Sequence, residues 1–299
     1  MLVSIIIPTK NEPAIGEVIE DLKKELKDFK LEIIVVDKSN DSTPKIAEAH
    51  GARVIKQEFS GYGNAYLLGF ENANGEIVCM IDGDGTYSAS DLKKLINLVK
   101  TNKCDFAIGD RFSNLKKEAM PFTRRFGNFF LTWLLNKLYK LKIKDSQSGL
   151  RAIKKEALDK MFLSSQDMAL ASEMLIEARK LNLRVKEIPI SYRKREKGRS
   201  TNGIIYGVKI AATTIKLLRD YNPFLLFGSV GAIFLIFGFY FAFVVAYDFL
   251  TTGTLHFIGR ALLSFMFFTF GFLCIILGLI LDTLNEIDKK FYKLKINGK

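Results

Sequence analysis

Short β-branched apolar runs alternate with amphipathic stretches through the first hundred residues. Residues 3–7 and 33–36 read as buried parallel strands, and residues 15–26 between them read as a helix. The alternation continues with a helix at 43–49, a strand at 53–55, a helix at 64–72, a strand at 76–81, a helix at 91–99 and a strand at 106–108. This order predicts an α/β domain with a doubly wound, mostly parallel sheet. Such sheets bind ligands beyond the carboxyl ends of their strands. Polar residues stand at those ends: Pro8, Thr9, Asn11 and Glu12 after the first strand, Asp37, Ser39 and Asp41 after the second, Asp82 and Asp84 after the fourth, and Asp110 and Arg111 after the fifth.

The pattern changes after residue 120. In residues 122–140, Phe126, Phe129, Phe130, Trp133, Leu134 and Leu138 recur at helical spacing, with Arg125, Asn128, Thr132, Asn136 and Lys140 on another face. Such a helix suits either a membrane surface or a protein core. Residues 204–218 repeat the theme and run into residues 224–247, which carry no charge; residues 261–281 are equally free of charge. A helix needs about 20 such residues to cross the hydrocarbon core. Basic residues flank the pair on its outer sides, so the positive-inside rule puts both outer ends in the cytoplasm. The predicted organisation is a cytoplasmic domain over 1–202, an amphipathic juxtamembrane helix over 203–222, a two-helix transmembrane hairpin over 223–282 and a basic tail over 283–299. The apolar run at the start of the chain is too short for a span and lacks a basic leader, so the first domain is expected to stay in the cytoplasm.

Composition narrows the function classes. The net charge is +12, and nearly all of the surplus lies before residue 223, which suits attraction to an anionic leaflet. With 48% hydrophobic residues, disorder is excluded. Nucleic acid is not an expected partner, because two spans are present and no recognition motif or aromatic platform is. Cys79, Cys104 and Cys274 have no ligand spacing and read as reduced, packed thiols. The chain has no GxxxxGK[ST] loop and no GxGxxG after the first strand, so phosphate charge must be neutralised differently. Asp82-Gly83-Asp84 offers two hard oxygen ligands if the chain stays extended, which suits Mg²⁺ or Mn²⁺ bridging a diphosphate. The same residues also suit an acidic, glycine-rich turn.

These pieces, in order, resemble the GT-A glycosyltransferases of family 2, and within them the polyprenyl-phosphate sugar synthases of the dolichyl-phosphate mannose and glucose type. The resemblance rests on residues 5–12, on Val35-Val36-Asp37 with Ser39 and Asp41, on Gly61-Tyr62-Gly63-Asn64-Ala65, on 82–85, and on Gly109-Asp110-Arg111-Phe112. It continues through Met120-Pro121 and Arg125-Phe126-Gly127-Asn128, Asp145-Ser146-Gln147-Ser148-Gly149-Leu150-Arg151, and 188–193. It implies nucleotide contacts at Pro8, Thr9, Asn11 and Glu12, a base or ribose contact at Asp37, and metal and diphosphate contacts at Asp82, Gly83 and Asp84. It further implies acceptor-phosphate or diphosphate cations at Arg111, Arg125 and Arg195, and a sugar contact at Glu173. Arg151 is open between a loop-stabilising and a substrate role. Lys38, Thr86 and Thr201 depart from the commoner family residues and leave the sugar and the base open.

The implied reaction is inverting transfer of one hexose from a nucleoside diphosphate sugar, GDP-mannose or UDP-glucose, to dolichyl or polyprenyl phosphate. It would occur at the cytoplasmic membrane face and feed protein or envelope glycosylation. The implied cofactor is Mg²⁺ or Mn²⁺, the partners are the donor, the lipid acceptor and the bilayer, and a homo-oligomer is compatible with the resemblance. The alternatives are a different lipid acceptor, such as a diacylglycerol, and a non-catalytic membrane scaffold.

Overall fold

The computed structural model describes residues 1–115, 120–194, 212, 214–216, 218–219, 221–254 and 256–297, with the side chains of 288–297 excepted. Arg195, Thr201 and residues 203–211 of the amphipathic stretch lie outside the described residues. The chain divides into two units, Met1–Ala211 and Ala212–Lys299.

The first unit is built on a seven-stranded mixed sheet. Strand β1 (Leu2–Thr9) pairs in parallel with β2 (Lys30–Asp37) and with β4 (Ile77–Met80), and β3 (Arg53–Lys56) extends the sheet beyond β2. On the other side, β6 (Arg151–Lys154) runs antiparallel between β4 and β5 (Phe106–Asp110), and β7 (Val185–Pro189) is parallel to β5. The spatial order is β3-β2-β1-β4-β6-β5-β7.

Alternation along β1 sets the two layers. Ile5 and Ile7 pack with Ile15, Ile19 and Leu22 of α1 (Ile15–Glu25) and with Leu92 and Ile96 of α4 (Ala89–Lys100). Ile6 faces the opposite side, with Tyr66 and Phe70 of α3 (Tyr62–Glu71) and Met174 and Leu175 of α7 (Leu170–Lys180). The short helices α2 (Thr43–Ala49) and α6 (Lys155–Leu158) complete the connections.

Strand β6 is absent from the sequence reading because Arg-Ala-Ile-Lys is four residues long with charged ends, so it carries no alternation. Its reversal matters. An antiparallel strand begins where its neighbours end, and Arg151 pairs with Met80 on one side and Ile108 on the other. The turn before Arg151 is thereby delivered to the carboxyl ends of β4 and β5.

Helix α5 (Phe122–Tyr139) turns its aromatic face outward and part of its polar face inward. Asn128, Leu131, Thr132 and Leu135 are its buried residues, whereas Phe122, Phe126, Phe129, Phe130 and Trp133 are exposed. Asn128 and Thr132, on a different face from the aromatic residues by spacing, point inward. Thr132 Oγ1 accepts from the Ser146 amide at 3.1 Å, and Asn136 Nδ2 donates to the Ile143 carbonyl at 2.7 Å. Tertiary hydrogen bonds thus claim the polar side chains and leave the aromatic ones outside.

In the second unit, α8 (Pro223–Thr252) and α9 (Ile258–Asn297) each contain a stretch long and apolar enough to cross a membrane. They pack on one another through aromatic pairs such as Phe241–Phe267, 5.7 Å apart, and Ser264 Oγ donates to the Gly238 carbonyl at 2.9 Å. These are the helices of a candidate hairpin.

Gly69 of α3 packs directly against β1: an added Cβ would stand 2.3 Å from Ile6 Cγ2. Gly69→Ala is expected to destabilise the first unit by about 1–3 kcal/mol through overpacking. A lower thermal midpoint of the full chain in detergent checks this.

Candidate active site

A cleft of about 650 Å³ opens beyond the carboxyl ends of β1, β2 and β4, where the crossover pattern places it. Pro8, Thr9 and Glu12 line it from the β1 end, Asp82, Gly83 and Asp84 from the β4 end, and Arg111 from beyond β5.

Asp82 is held on several sides. Tyr62 Oη and Tyr66 Oη donate to its Oδ1 at 3.1 and 3.4 Å. The two tyrosines occupy successive turns of α3 with their rings edge to face at 4.9 Å. Burial pushes both phenols up, so they remain protonated donors. An added Cβ on Gly149 would lie 2.9 Å from Asp82 Oδ2, so the 145–149 turn abuts the carboxylate. Desolvation first, and the neighbouring Asp84 charge second, raise the Asp82 carboxyl well above the usual carboxylate range. Asp84 Oδ1 accepts from the Thr86 amide at 3.1 Å and from Thr86 Oγ1 at 2.7 Å, so Thr86 orients the second carboxylate.

This pair fits a small divalent cation. Its donors are hard oxygens, and two like charges in a desolvated cleft are relieved by a positive ion. Among the described residues no group of three or more His, Cys, Asp or Glu is gathered for a metal. The remaining ligands would be substrate oxygens and water, the usual habit of Mg²⁺ sites.

Arg111 is buried and clamped by Asp145. Its Nε donates to Oδ2 at 2.6 Å, its Nη2 to Oδ1 at 2.8 Å, and its main-chain amide to Oδ2 at 3.2 Å. Burial by itself would lower the guanidinium; the Asp145 charge and hydrogen bonds, together with Tyr87 and Tyr192, hold it above its ordinary value. The guanidinium also lies 5.4 Å from the centre of the Tyr192 ring. Asp145 is set in turn by Glu187, whose Oε1 and Oε2 accept from the Asp145 and Lys144 amides at 2.8 Å each. Arg111 therefore presents a fixed, partly compensated cation to the cleft.

Arg151 resolves toward the loop-stabilising role. It is fully buried, and its guanidinium donates to the carbonyls of Ser146, Ser148 and Ala171 at 2.7, 2.8 and 2.7 Å. Glu173 holds a different loop. Its carboxylate accepts from the Ser164 and Ser165 amides at 3.1 and 2.9 Å, away from the cleft. That loop backs the start of α3, where the Asn64 amide donates to the Gln166 carbonyl at 3.1 Å.

Asp37 is buried and does not line the cleft. Its Oδ1 accepts from Thr9 Oγ1 at 2.7 Å and Ser39 Oγ at 2.6 Å, and its Oδ2 from the Ser39 amide at 2.9 Å. Asn11 is likewise off the cleft wall: its amide donates to Ser39 Oγ at 2.7 Å and its Oδ1 accepts from the Asn40 amide at 3.0 Å. Both residues knit the β1 and β2 loops together. Arg125 is exposed and outside the cleft lining, whereas Arg124, one position earlier, lines it. Gln57, Tyr87, Tyr192 and Lys194 also line the cleft and were not singled out as site residues from sequence. The 192–194 segment joins through its main chain, by a bridge from Tyr192 to Tyr87 and an Arg193 amide donating to the Thr86 carbonyl at 2.9 Å. No local pattern signals that contact.

A mixed sheet with a carboxylate pair at the end of β4 and a cleft over the parallel edges defines the GT-A class of glycosyltransferases. The chain belongs to glycosyl transferase family 2, whose model matches residues 4–162. Among curated relatives, it is 40% identical over 198 residues to the low-salt glycan biosynthesis hexosyltransferase Agl6 of Haloferax volcanii, covering 64% of this chain and 48% of that protein. The chain thus spans about half of Agl6. It is 32% identical over 218 residues to a dolichyl-phosphate hexose transferase of the same organism, covering 73% of this chain and 94% of the relative. Among solved structures, glucosyl-3-phosphoglycerate synthase of Mycobacterium tuberculosis, in complex with Mn²⁺, UDP-glucose and phosphoglyceric acid, superposes with a TM-score of 0.60 at 19% identity, covering 72% of this chain and 78% of that one. That likeness is one of fold.

Asp145→Ala leaves a buried guanidinium without its carboxylate. A stability loss of about 3–5 kcal/mol is expected. Adding Arg111→Ala should cost less than the sum of the two single losses, as read by chemical denaturation of the single and double variants.

Proposed function

We propose that this protein transfers a single hexose from a nucleoside diphosphate sugar to a polyprenyl phosphate at a membrane surface, using Mg²⁺ or Mn²⁺. The observation that carries this reading is one cleft in which a carboxylate pair, Asp82 and Asp84, faces the clamped cation Arg111 and the α5 cation Arg124. The dolichyl-phosphate hexose transferase similarity supports the acceptor class. The two membrane-length helices support a lipid-borne one. The exposed aromatic face of α5, which begins at the cleft wall with Pro121 and Phe122, suits the headgroup region of a bilayer.

The chemistry needs no general base. A phosphate monoester carries nearly two negative charges at neutral pH, its second pKa being about 6. One of its oxygens attacks the anomeric carbon, the bond from that carbon to the diphosphate oxygen breaks, and the electron pair leaves on the diphosphate. Attack opposite the leaving group inverts the anomeric centre. The difficulty is bringing anion to anion. Arg111 and Arg124 would offset the acceptor charge, and their planar guanidinium groups match phosphate oxygens in pairs. A divalent cation held by Asp82 and Asp84 would supply electrostatic stabilisation of the departing diphosphate. Thr9, Pro8 and Glu12 border the space for the nucleoside, Asp37 and Asn11 act by holding that loop, and the roles of Arg125 and Arg195 are carried from the family resemblance. The basic flanks of the hairpin support a cytoplasmic location for the catalytic domain and both termini.

Asp84→Ala should lower transfer at least about a hundredfold, in line with loss of an electrostatic stabiliser of the reaction, while the protein still fractionates with membranes. Wild-type turnover in that variant removes the metal role. Arg124→Ala should raise the KM for dolichyl phosphate about ten- to hundredfold, the usual scale of a charge-assisted hydrogen bond, with little change in the KM for the nucleotide sugar. Arg125→Ala run beside it shows which of the two arginines serves the acceptor.

A further inference from the structure

We propose that Gln147 reads the donor sugar, its Oε1 accepting a hydrogen bond from a hydroxyl of the hexose. This rests on the transfer reading above and assigns a specificity residue within that site.

Gln147 lines the cleft yet is only 8% exposed. Its Nε2 donates to Ser146 Oγ at 2.9 Å and to Ser172 Oγ at 2.8 Å, which consumes both amide hydrogens. Ser146 Oγ also shares a hydrogen bond with Thr132 Oγ1 of α5 at 2.8 Å, and Ser172 sits on α7. The main-chain amide of Gln147 donates to Asp145 Oδ1 at 3.1 Å. The two serines therefore tether the side-chain amide to α5 and α7, while Asp145 holds the main chain of Gln147.

The carbonyl end is different. No donor among the described residues reaches Oε1, and among those residues the sealed, unpartnered side-chain polar atoms are Ser148 Oγ and Thr214 Oγ1. Oε1 is thus an open acceptor, and the cleft is the space that Gln147 borders. Because the cleft reaches Oε1, a ligand hydroxyl there exchanges a hydrogen bond to water for one to the protein.

Its location selects the ligand part. Gly149, two residues on, packs against Asp82, and Asp145, two residues back, aims Arg111. The hexose must lie between the departing diphosphate and the incoming phosphate, so the middle of the 145–149 turn borders its path. A neutral amide is suited to that place, because a carboxylate there would repel both phosphates, whereas an amide oxygen selects for a hydroxyl donor without adding charge.

Binding to the full-length protein in detergent, with Mn²⁺ present, tests this by calorimetry. UDP-glucose, UDP-N-acetylglucosamine and GDP-mannose are each compared with the free nucleotide, and the sugar adding the most affinity is then compared with its monodeoxy analogues. In the wild type, one deoxy analogue should lose about tenfold in affinity, the scale of one neutral hydrogen bond. In Gln147→Met, the parent sugar should lose that same factor, removal of the hydroxyl should cost nothing further, and affinity for the free nucleotide should stay unchanged. Ser172→Ala, which frees one amide hydrogen but keeps Gln147, should show a partial loss against the same analogue.

The proposal is overturned if Gln147→Met keeps the full deoxy penalty, if its loss extends equally to the free nucleotide, or if no hexose adds affinity in the wild type. The transfer reading fails separately, when nucleotide sugars bind normally and dolichyl phosphate receives no hexose.

Discussion

The site depends on a cation sealed inside the protein. Arg151 is wholly buried, and burial lowers its guanidinium below the ordinary arginine range, so its charge is maintained at a cost. Three main-chain carbonyls, from Ser146, Ser148 and Ala171, meet that cost by pointing at it. The carbonyls cannot turn away without stranding the charge. The Ser146 and Ser148 carbonyls thereby anchor the 145–149 turn to the strand that follows it. From that one turn, Asp145 clamps Arg111, Gln147 borders the cleft and Gly149 supports Asp82.

The same turn separates charges that would otherwise cancel. Asp82 and Asp84 lie at the end of β4, and Arg111 lies just past the end of β5, with reversed β6 between the two strands. If the two acids paired with Arg111 directly, neither would be left for a substrate. Instead Asp145 occupies Arg111, while tyrosine hydroxyls, which carry no charge, hold Asp82. The cleft keeps acidic and basic walls apart, as bringing two anions together at one sugar carbon would demand.

Much of the fold was legible in local patterns. The β1–α1–β2 alternation and the two long apolar runs are properties of a dozen or two consecutive residues. The Asp82–Asp84 spacing is as local, and both residues do border the cleft. Strands β6 and β7 were not legible, because four or five residues with charged or proline ends carry no periodic signal. The polarity of α5 was legible in its spacing and ambiguous in its direction. Spacing marks an aromatic face and a polar face, but partners outside the helix, Ser146 and Ile143, decide which one turns inward.

The sequence by itself determined strands β1 to β5, which runs are long enough to span a bilayer, and where acidic chemistry is concentrated, because each follows from short-range periodicity and length. Only the tertiary structure decided which side chains remain available to a substrate. Asp37 is consumed by Thr9, 28 residues away, and Arg111 is pinned by Asp145, 34 residues away. Arg124 borders the cleft while its neighbour Arg125 faces out, since consecutive helical residues diverge by about 100°. Availability is set by partners that meet through folding, and such partners leave no trace in the spacing of the residues they occupy.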